Sequence, residues 1–499
     1  SWEYTYEKPV VASYLLYRVK GPDVDTLYAG IETNFTDSSV EWDSTYSYYV
    51  TGVINEEETS PPDIGDIPEV VRRIVVGEDE DYNSIQSAIN AIYGGKLYVR
   101  EGTYQKISIT NKNISLKCLS EDYKCIIDAN DNGSAVTINI VQNNQIELSG
   151  FKLTGGSAVN GGAININIDN SNILIDSCLI QDNEVDNNGG GIHITGSQSN
   201  CFISNTDIEN NTAAQHGGGI YIIGDAPEGL WVEPISMTIN NVNIRDNSAD
   251  LSKGNGGGVF TENSTNHITG CLIEKNESQN GGGMYFDMAT YVNISLCTIK
   301  ENFAAQNGGA ITSERTGTHD VLGMDSLIII DSEILENDAR NGGALYIKKN
   351  NKVRLHNNLV VFNNNNYSGE FYGGGLYIKN CNDIGIDYNT IYGNGSNQSD
   401  EISWGGSIYL YDSGMNINNS IFWNNNAVSE KEWYISASSI NASFTIISPY
   451  YNMYCEDGCI NNEPLFKDIS GDDYDFDLVP GSPGEGVSNE GNNLGYTRP

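Results

Sequence analysis

The feature that most constrains this chain is a phrase that repeats from Ile173 onward. ILIDSCLIQDNEVDNNGGGIHI is followed by CFISNTDIENNTAAQHGGGIYI: an alternating apolar run, an Asn three residues after an Ile, a polar bridge, and a Gly triplet opening another alternating run. The Asn recurs as Asn183, Asn211, Asn247, Asn276, Asn302, Asn337, Asn363, Asn394 and Asn425, at spacings of 28, 36, 29, 26, 35, 26, 31 and 31 residues. Constant order with variable spacing keeps the strands and varies the connections between them. The Gly-rich half recurs in step from Gly189, Gly217, Gly256, Gly281, Gly308, Gly342, Gly373 and Gly405, with an earlier copy at Gly161.

Each strand-like piece has period 2 and is bounded by Gly, Asn, Asp and Ser, which excludes helices and calls for short strands. One such unit cannot bury its apolar face, so the units must stack. Stacking aligns Ile180, Ile208, Ile244, Ile273, Ile299, Ile334, Val360, Ile391 and Phe422 as one interior column. Two positions earlier, Cys178, Thr206, Val242, Cys271, Cys297, Ser332, Asn358, Asn389 and Ser420 form a second. The repeating Asn is expected at a turn in left-handed backbone, its amide bonding the equivalent in the next rung. The Gly triplets are expected at corners where a Cβ would clash. About a dozen rungs at ~4.8 Å each make a rod of roughly 60 Å.

Sixty-six acidic residues against 26 basic ones give a formal charge of −40. Nucleic acid is excluded as a partner, because neutralising phosphates takes clustered Lys and Arg, and a bare anionic membrane is disfavoured. No apolar run reaches the ~20 residues of a membrane span. The chain opens at Ser1 with no leader, so either a leader is removed or this is a segment of a longer chain. Of nine cysteines, Cys178, Cys201, Cys271, Cys297 and Cys381 stand singly among strands as small buried hydrophobes. Two local pairs, Cys118 with Cys125 and Cys455 with Cys459, suit disulfides of an oxidising compartment.

Residues 1–62 differ in kind, alternating Tyr with aliphatic residues between turns as a small β-sandwich does. With Trp2 at an early core position, SYLLYR as a central strand and TYSYYVTGVINEEETSPP as the last pair and exit, this part resembles a fibronectin type III module lacking its first strand. Residues 63–73 are expected to be a linker. In residues 74–499, Ile85, Ala88, Ile89 and Ile92 mark one face of a short helix capped by Asn83 or Ser84. That helix, followed by KLYVREGTY, KISITNKNISLKC and KCIIDANDNGSAVTI, resembles the start of right-handed parallel β-helix proteins of the pectate-lyase-like superfamily. The GG[GA] repeats are similar to those of bacterial polymorphic outer-membrane adhesins. The ending, NNSIFWNNN then EPLFKDISGDDYDFDLVPGSPGEG, looks like the final rungs and cap of secreted β-helix proteins.

That resemblance implies, for members that cleave polyuronates, calcium-binding Asp clusters with an Arg or Lys base, or paired Asp residues. No arginine of this chain falls in a recognisable column with acids. The best catalytic candidates are Arg315, His319, Asp320 and Asp325, which share the insertion SERTGTHDVLGMDS; a charged surface loop is the competing reading. Trp231, in the insertion GDAPEGLWVEP, offers an aromatic platform for a sugar or a cover for a neighbouring rung. Asp128, Asn130 and Asn132, before Gly133, match the opening of a calcium loop, with Asn139 where the closing Glu belongs. Calcium is therefore the one cofactor the sequence suggests, and none is required. Asn-X-Ser/Thr sequons occur throughout, Asn132, Asn210, Asn276, Asn394 and Asn441 among them.

The expected fold is thus all-β: a right-handed parallel β-helix with an N-terminal capping helix, preceded by a small sandwich. The expected role is an extracellular, non-catalytic structural or adhesive surface protein, partnered by copies of itself in a head-to-tail filament, by surface polysaccharide or by other surface proteins. The alternative is a polysaccharide lyase or hydrolase.

Overall fold

The computed structural model describes residues 13–32, 35, 37, 39, 45–54, 57–60, 69–71, 74–140, 143–225, 234–288, 291–315, 326–364, 370–395, 403–428, 432–448, 455–470 and 474–499. From Ile74 the chain winds into a right-handed parallel β-solenoid of about 11 turns. One turn shows the plan: Asn172–Asp176 lies in sheet 1, Leu179–Gln181 in sheet 2, Glu184–Val185 in sheet 3 and Ile192–Ser197 in sheet 4. Stacking gives sheets of 15, 13, 9 and 12 strands in that order. Every strand is too short to be stable alone, so each is held by the turns above and below it.

The expected core column forms in register, Ile180 opposite Ile208, Ile244, Ile273, Ile299, Ile334, Val360, Ile391 and finally Phe422, all fully buried. The second column also forms, at the corner between sheets 1 and 2, and there side chains accept from the backbone of the preceding turn. Cys297 N–H donates to Ser332 Oγ at 3.2 Å, Ser332 N–H to Asn358 Oδ1 at 3.0 Å and Asn358 N–H to Asn389 Oδ1 at 2.9 Å.

The repeating Asn differs from expectation in one respect. The left-handed residue is the one before it: Asp182, Asn210, Asp246, Lys275, Glu301, Glu336, Phe362, Gly393 and Asn424 have φ between +53° and +65°. That residue swings the chain around the corner and turns the next side chain inward, so the Asn is buried. Its amide then has to be satisfied without water. Each Nδ2 donates to the Oδ1 of the next turn, from Asn183 through to Asn425, at 2.8–3.0 Å. In mid-ladder, Asn302 also donates to Ile273 O at 2.9 Å, and its Oδ1 accepts from both Asn276 N–H and Nδ2. The four bonding positions of the amide are filled.

In each Gly triplet the first Gly sits at φ +61° to +71°. The second is held by crowding: a Cβ on Gly190 would run into Gly218 O and come 2.7 Å from Thr212 N.

The two ends are closed differently. At the start, the helix Ile85–Ala91 is capped by Ser84, whose side chain accepts from Ser87 N–H, and it buries Ile85, Ala88 and Ile89. Its Gln86 side chain pairs with the free edge of sheet 4 as a strand would, Nε2 donating to Ser108 O at 3.2 Å and Oε1 accepting from Ser108 N–H at 2.6 Å. That pairing blocks strand addition there. The C-terminal segment, expected as an end cap, instead runs back along the outside of sheet 2. After the hairpin Phe466–Asp468 and Asp475–Leu478, the chain passes Gly495, whose N–H donates to Asn419 O at 2.8 Å. Tyr496 N–H donates to Thr390 Oγ1 at 2.9 Å and Thr497 N–H to Asn357 Oδ1 at 2.8 Å. The strap buries Leu494 and Leu478 on Ile421 and Ile446, and Tyr496 and Phe476 on Leu359 and Val361.

Ahead of the solenoid, Ser13–Lys20, Asp23–Gly30, Thr45–Ile54, Glu57–Glu58 and Glu69–Val71 make one antiparallel sheet. No second layer packs on it among the described residues, and Trp2 lies outside them. Glu69–Val71, from the segment expected to link the two parts, pairs with Thr45–Ser47, because a β-branched run beside an open edge completes the sheet.

Cutting the amide ladder in the middle tests this account. Asn302→Leu leaves Asn276 without its acceptor and Asn337 without one donor to its Oδ1; at about 1–3 kcal/mol for each buried group left unpaired, a loss on the order of 3 kcal/mol is expected in urea unfolding.

Candidate functional site

The outward side chains of sheet 4 form two adjacent columns. In the first, His193, Tyr221, Phe260, Tyr285, Thr312, Tyr346, Tyr377, Tyr409 and Tyr434 follow one another in register. In-register stacking at the rung repeat brings neighbouring rings face to face. Tyr221 and Phe260 lie 4.9 Å apart at 5°, and Tyr377 and Tyr409 4.9 Å apart at 5°. Ring faces are therefore spent on each other, and Tyr221, Phe260 and Tyr285 form a buried cluster outside the main core. His216 stacks on Phe260 from the side, and on sheet 3 Tyr372 stacks on Trp404.

In the second column Glu262, Asp287 and Glu314 are followed by Lys348, Lys379 and Tyr411. Burial, reinforced by Asp287, raises the Glu262 carboxyl above the usual carboxylate range. Tyr285 donates to Glu314 Oε1 at 2.5 Å, and Lys348 Nζ lies 3.3 Å from Glu314 Oε2. Burial pushes the Tyr285 and Tyr346 phenols up and the His193 imidazole down to about 4, so His193 is neutral at pH 7. Its Nδ1 faces Asn165 Oδ1 at 3.2 Å.

Both insertions singled out in the sequence leave the same corner, after sheet 4. One departs at Asp225 and returns at Pro234, the other departs at Arg315 and returns at Ser326. Two turns, carrying Glu262 and Asp287, lie between them. Arg315 is half-buried beside Glu314 in sequence. Trp231, His319, Asp320 and Asp325 lie outside the described residues. A shallow polar hollow of about 380 Å³ lies at the same corner, lined in part by Asn170, Gln198, Asn200 and Pro234.

At the calcium-loop motif, Asp128 Oδ1 accepts from Asn130 N–H at 2.8 Å, and the Lys106 ammonium donates to Asn132 O at 2.6 Å, so a positive charge already faces the turn. Among the described residues no three His, Cys, Asp or Glu side chains gather as a metal site would require. Cys118 is joined to Cys125 and Cys455 to Cys459, with Cα atoms 5.8 and 6.1 Å apart. Cys178, Cys201, Cys271, Cys297 and Cys381 are buried thiols.

One reading from sequence is corrected. Arg245 does stand in a column with acids: on the outside of sheet 2, Glu209, Arg245, Glu274 and Lys300 alternate in register. Arg245 Nε donates to Glu209 Oε2 at 2.7 Å and Lys300 Nζ lies 3.3 Å from Glu274. Unequal turn lengths hide this adjacency in the linear sequence. The column neutralises itself.

The family model described as the Chlamydia polymorphic membrane protein repeat matches residues 205–223, which hold Asn211 and the triplet from Gly217. No curated protein sequence matches the chain. Among solved structures, the pectin methylesterase of Aspergillus niger is similar at 14% identity over 57% of this chain and 85% of its own, with a TM-score of 0.33. The family 28 exopolygalacturonase of Yersinia enterocolitica is similar at 10% identity over 88% and 95%, TM-score 0.30, and the Dettilon tailspike protein at 12% over 78% and 67%, TM-score 0.37.

The thiol inventory is directly testable. Alkylation of the denatured, unreduced chain is expected to label the five buried thiols and leave the other four cysteines unlabelled until reduction; mass spectrometry counts them.

Proposed function

We propose that this chain is an extracellular or cell-surface rod, structural or adhesive rather than catalytic. The observation that carries the reading is that polar and aromatic groups are consumed turn against turn. Amides pair in one ladder, rings in another and opposite charges in a third. A protein built this way gains rigidity and a regular surface. The small N-terminal sheet, read as a fibronectin-like module, would supply a contact to the next copy or to another surface protein, and sheet 4 would meet a surface polysaccharide. Calcium at Asp128, Asn130 and Asn132 and glycans at exposed sequons such as Asn210 belong to the same extracellular reading.

A second reading has its own support. Glu262, whose carboxyl is raised, stands next to Asp287 between two insertions, and a pair of neighbouring carboxyls, one of them poised to donate a proton, is the requirement of glycosidic-bond cleavage.

Incubation with a panel of extracellular polysaccharides, with calcium and with chelator, separates the two. The structural reading expects retention of the protein on a polysaccharide or surface without new chain ends. New reducing or unsaturated ends, falling at least ~100-fold in Glu262→Gln, would establish the enzyme instead.

A further inference from the structure

The amide ladder runs one way. Every Nδ2 donates toward the C-terminal end, so the last member, Asn425, has a donor pointing beyond the last Asn. At the first end the arrangement closes simply, with Gly156 N–H donating to Asn183 Oδ1 at 2.9 Å. At the other end a buried acceptor must be supplied from elsewhere.

The third position of the Gly triplet shows where it comes from. A Cβ on Gly219 would stand 3.2 Å from Asn247 Cγ, and one on Gly283 3.3 Å from Asn302 Cγ, so a side chain here points straight at the ladder amide of the next turn. While a next amide exists, only a small residue fits: Ala163, Gly191, Gly219, Gly258, Gly283, Ala310, Ala344, Gly375 and Ser407 hold the position. One turn further on, Ser407 N–H and Ile408 N–H both donate to Glu432 O, and Trp433 stands opposite Ile408. Glu432 thus holds the tenth copy of the position, where there is no further Asn. Its side chain extends into the empty place: Oε2 accepts from Asn425 Nδ2 at 3.0 Å and Oε1 from Asn425 N–H at 3.3 Å. The residue is 1% exposed.

We infer that Glu432 is the end-stop of the amide ladder and the point at which closure of the last turn is coupled to protons. The groups that face its carboxyl are Asn425, from the ladder, and Ser407, from the turn before. Neither is ionisable, and no cation pairs with it among the described residues. Burial pushes the carboxyl up to about 8 from an ordinary 4.5. The closed turn therefore keeps a proton that the opened turn releases, and closure weakens as pH rises from 4.5 through 8. The last turn carries Ile446, on which the strap residues Leu478 and Leu494 sit, so opening it unseats the strap as well.

Hydrogen exchange on the full chain tests this, read at the amides of Ser407, Ile408, Asn425 and Ile446 and corrected for intrinsic exchange. In the unmodified chain the opening constant is expected to rise on the order of 100-fold between pH 6 and 9. Glu432→Gln, which keeps an acceptor and loses the titration, should flatten that profile, and Glu432→Leu should open the turn at every pH. A flat profile in the unmodified chain, or the same slope in the Gln variant, would overturn the proton coupling. A Leu variant as protected as the original would overturn the end-stop. Should the Leu variant fail to fold, the other two profiles decide.

Discussion

The structure depends on one constraint: an amide buried at a corner must find all its hydrogen-bond partners inside the protein. Nine asparagines meet it by bonding to each other, and they can do so only if successive turns stack in register at the strand spacing. The requirement therefore fixes the axial repeat, while the bridges between strands stay free to vary from one turn to the next. The isoleucine column beside it supplies the apolar burial, and the second Gly of each triplet lets backbone approach the backbone just after the ladder Asn. Hydrophobic burial alone would tolerate a slip; a ladder with every donor and acceptor assigned does not.

The same economy governs the outside. The phenyl and phenol rings of sheet 4 lie face to face, Tyr221, Phe260 and Tyr285 buried as a cluster of their own, and the charges on sheet 2 alternate and cancel. What remains at the corner after sheet 4, among the described residues, is a stretch of three carboxylates, Glu262, Asp287 and Glu314, where like charges stand in register instead of alternating. A rod that spends its side chains on itself is suited to spanning and presenting.

Much of this was legible in the sequence because a fixed phrase marks equivalent positions. The core column, the corner column and the amide contacts follow from aligning one Asn with the next. The phrase by itself points to that Asn as the left-handed residue, because Asn tolerates such geometry; in the structure its predecessor takes that conformation, Phe362 included, so that the amide can face inward. Positions outside the phrase were harder. Arg245 and Glu209 are 36 residues apart, yet neighbours. The apolar outer face of sheet 2 at Leu359, Ile421 and Ile446, which announces the strap, emerges only when the turns are in register. Glu432 carries no mark of its position in the sequence, because the triplet has dissolved by the last turn.

The most direct measurement is hydrogen exchange at the asparagine side-chain Nδ2 protons, resolved by NMR after selective ¹⁵N-asparagine labelling. The nine ladder amides, Asn183 through Asn425, are expected to exchange far more slowly than that of exposed Asn441, with protection greatest in mid-ladder. Ladder amides exchanging as fast as Asn441 would mean that the corners are wet and that something other than the amide chain sets the register.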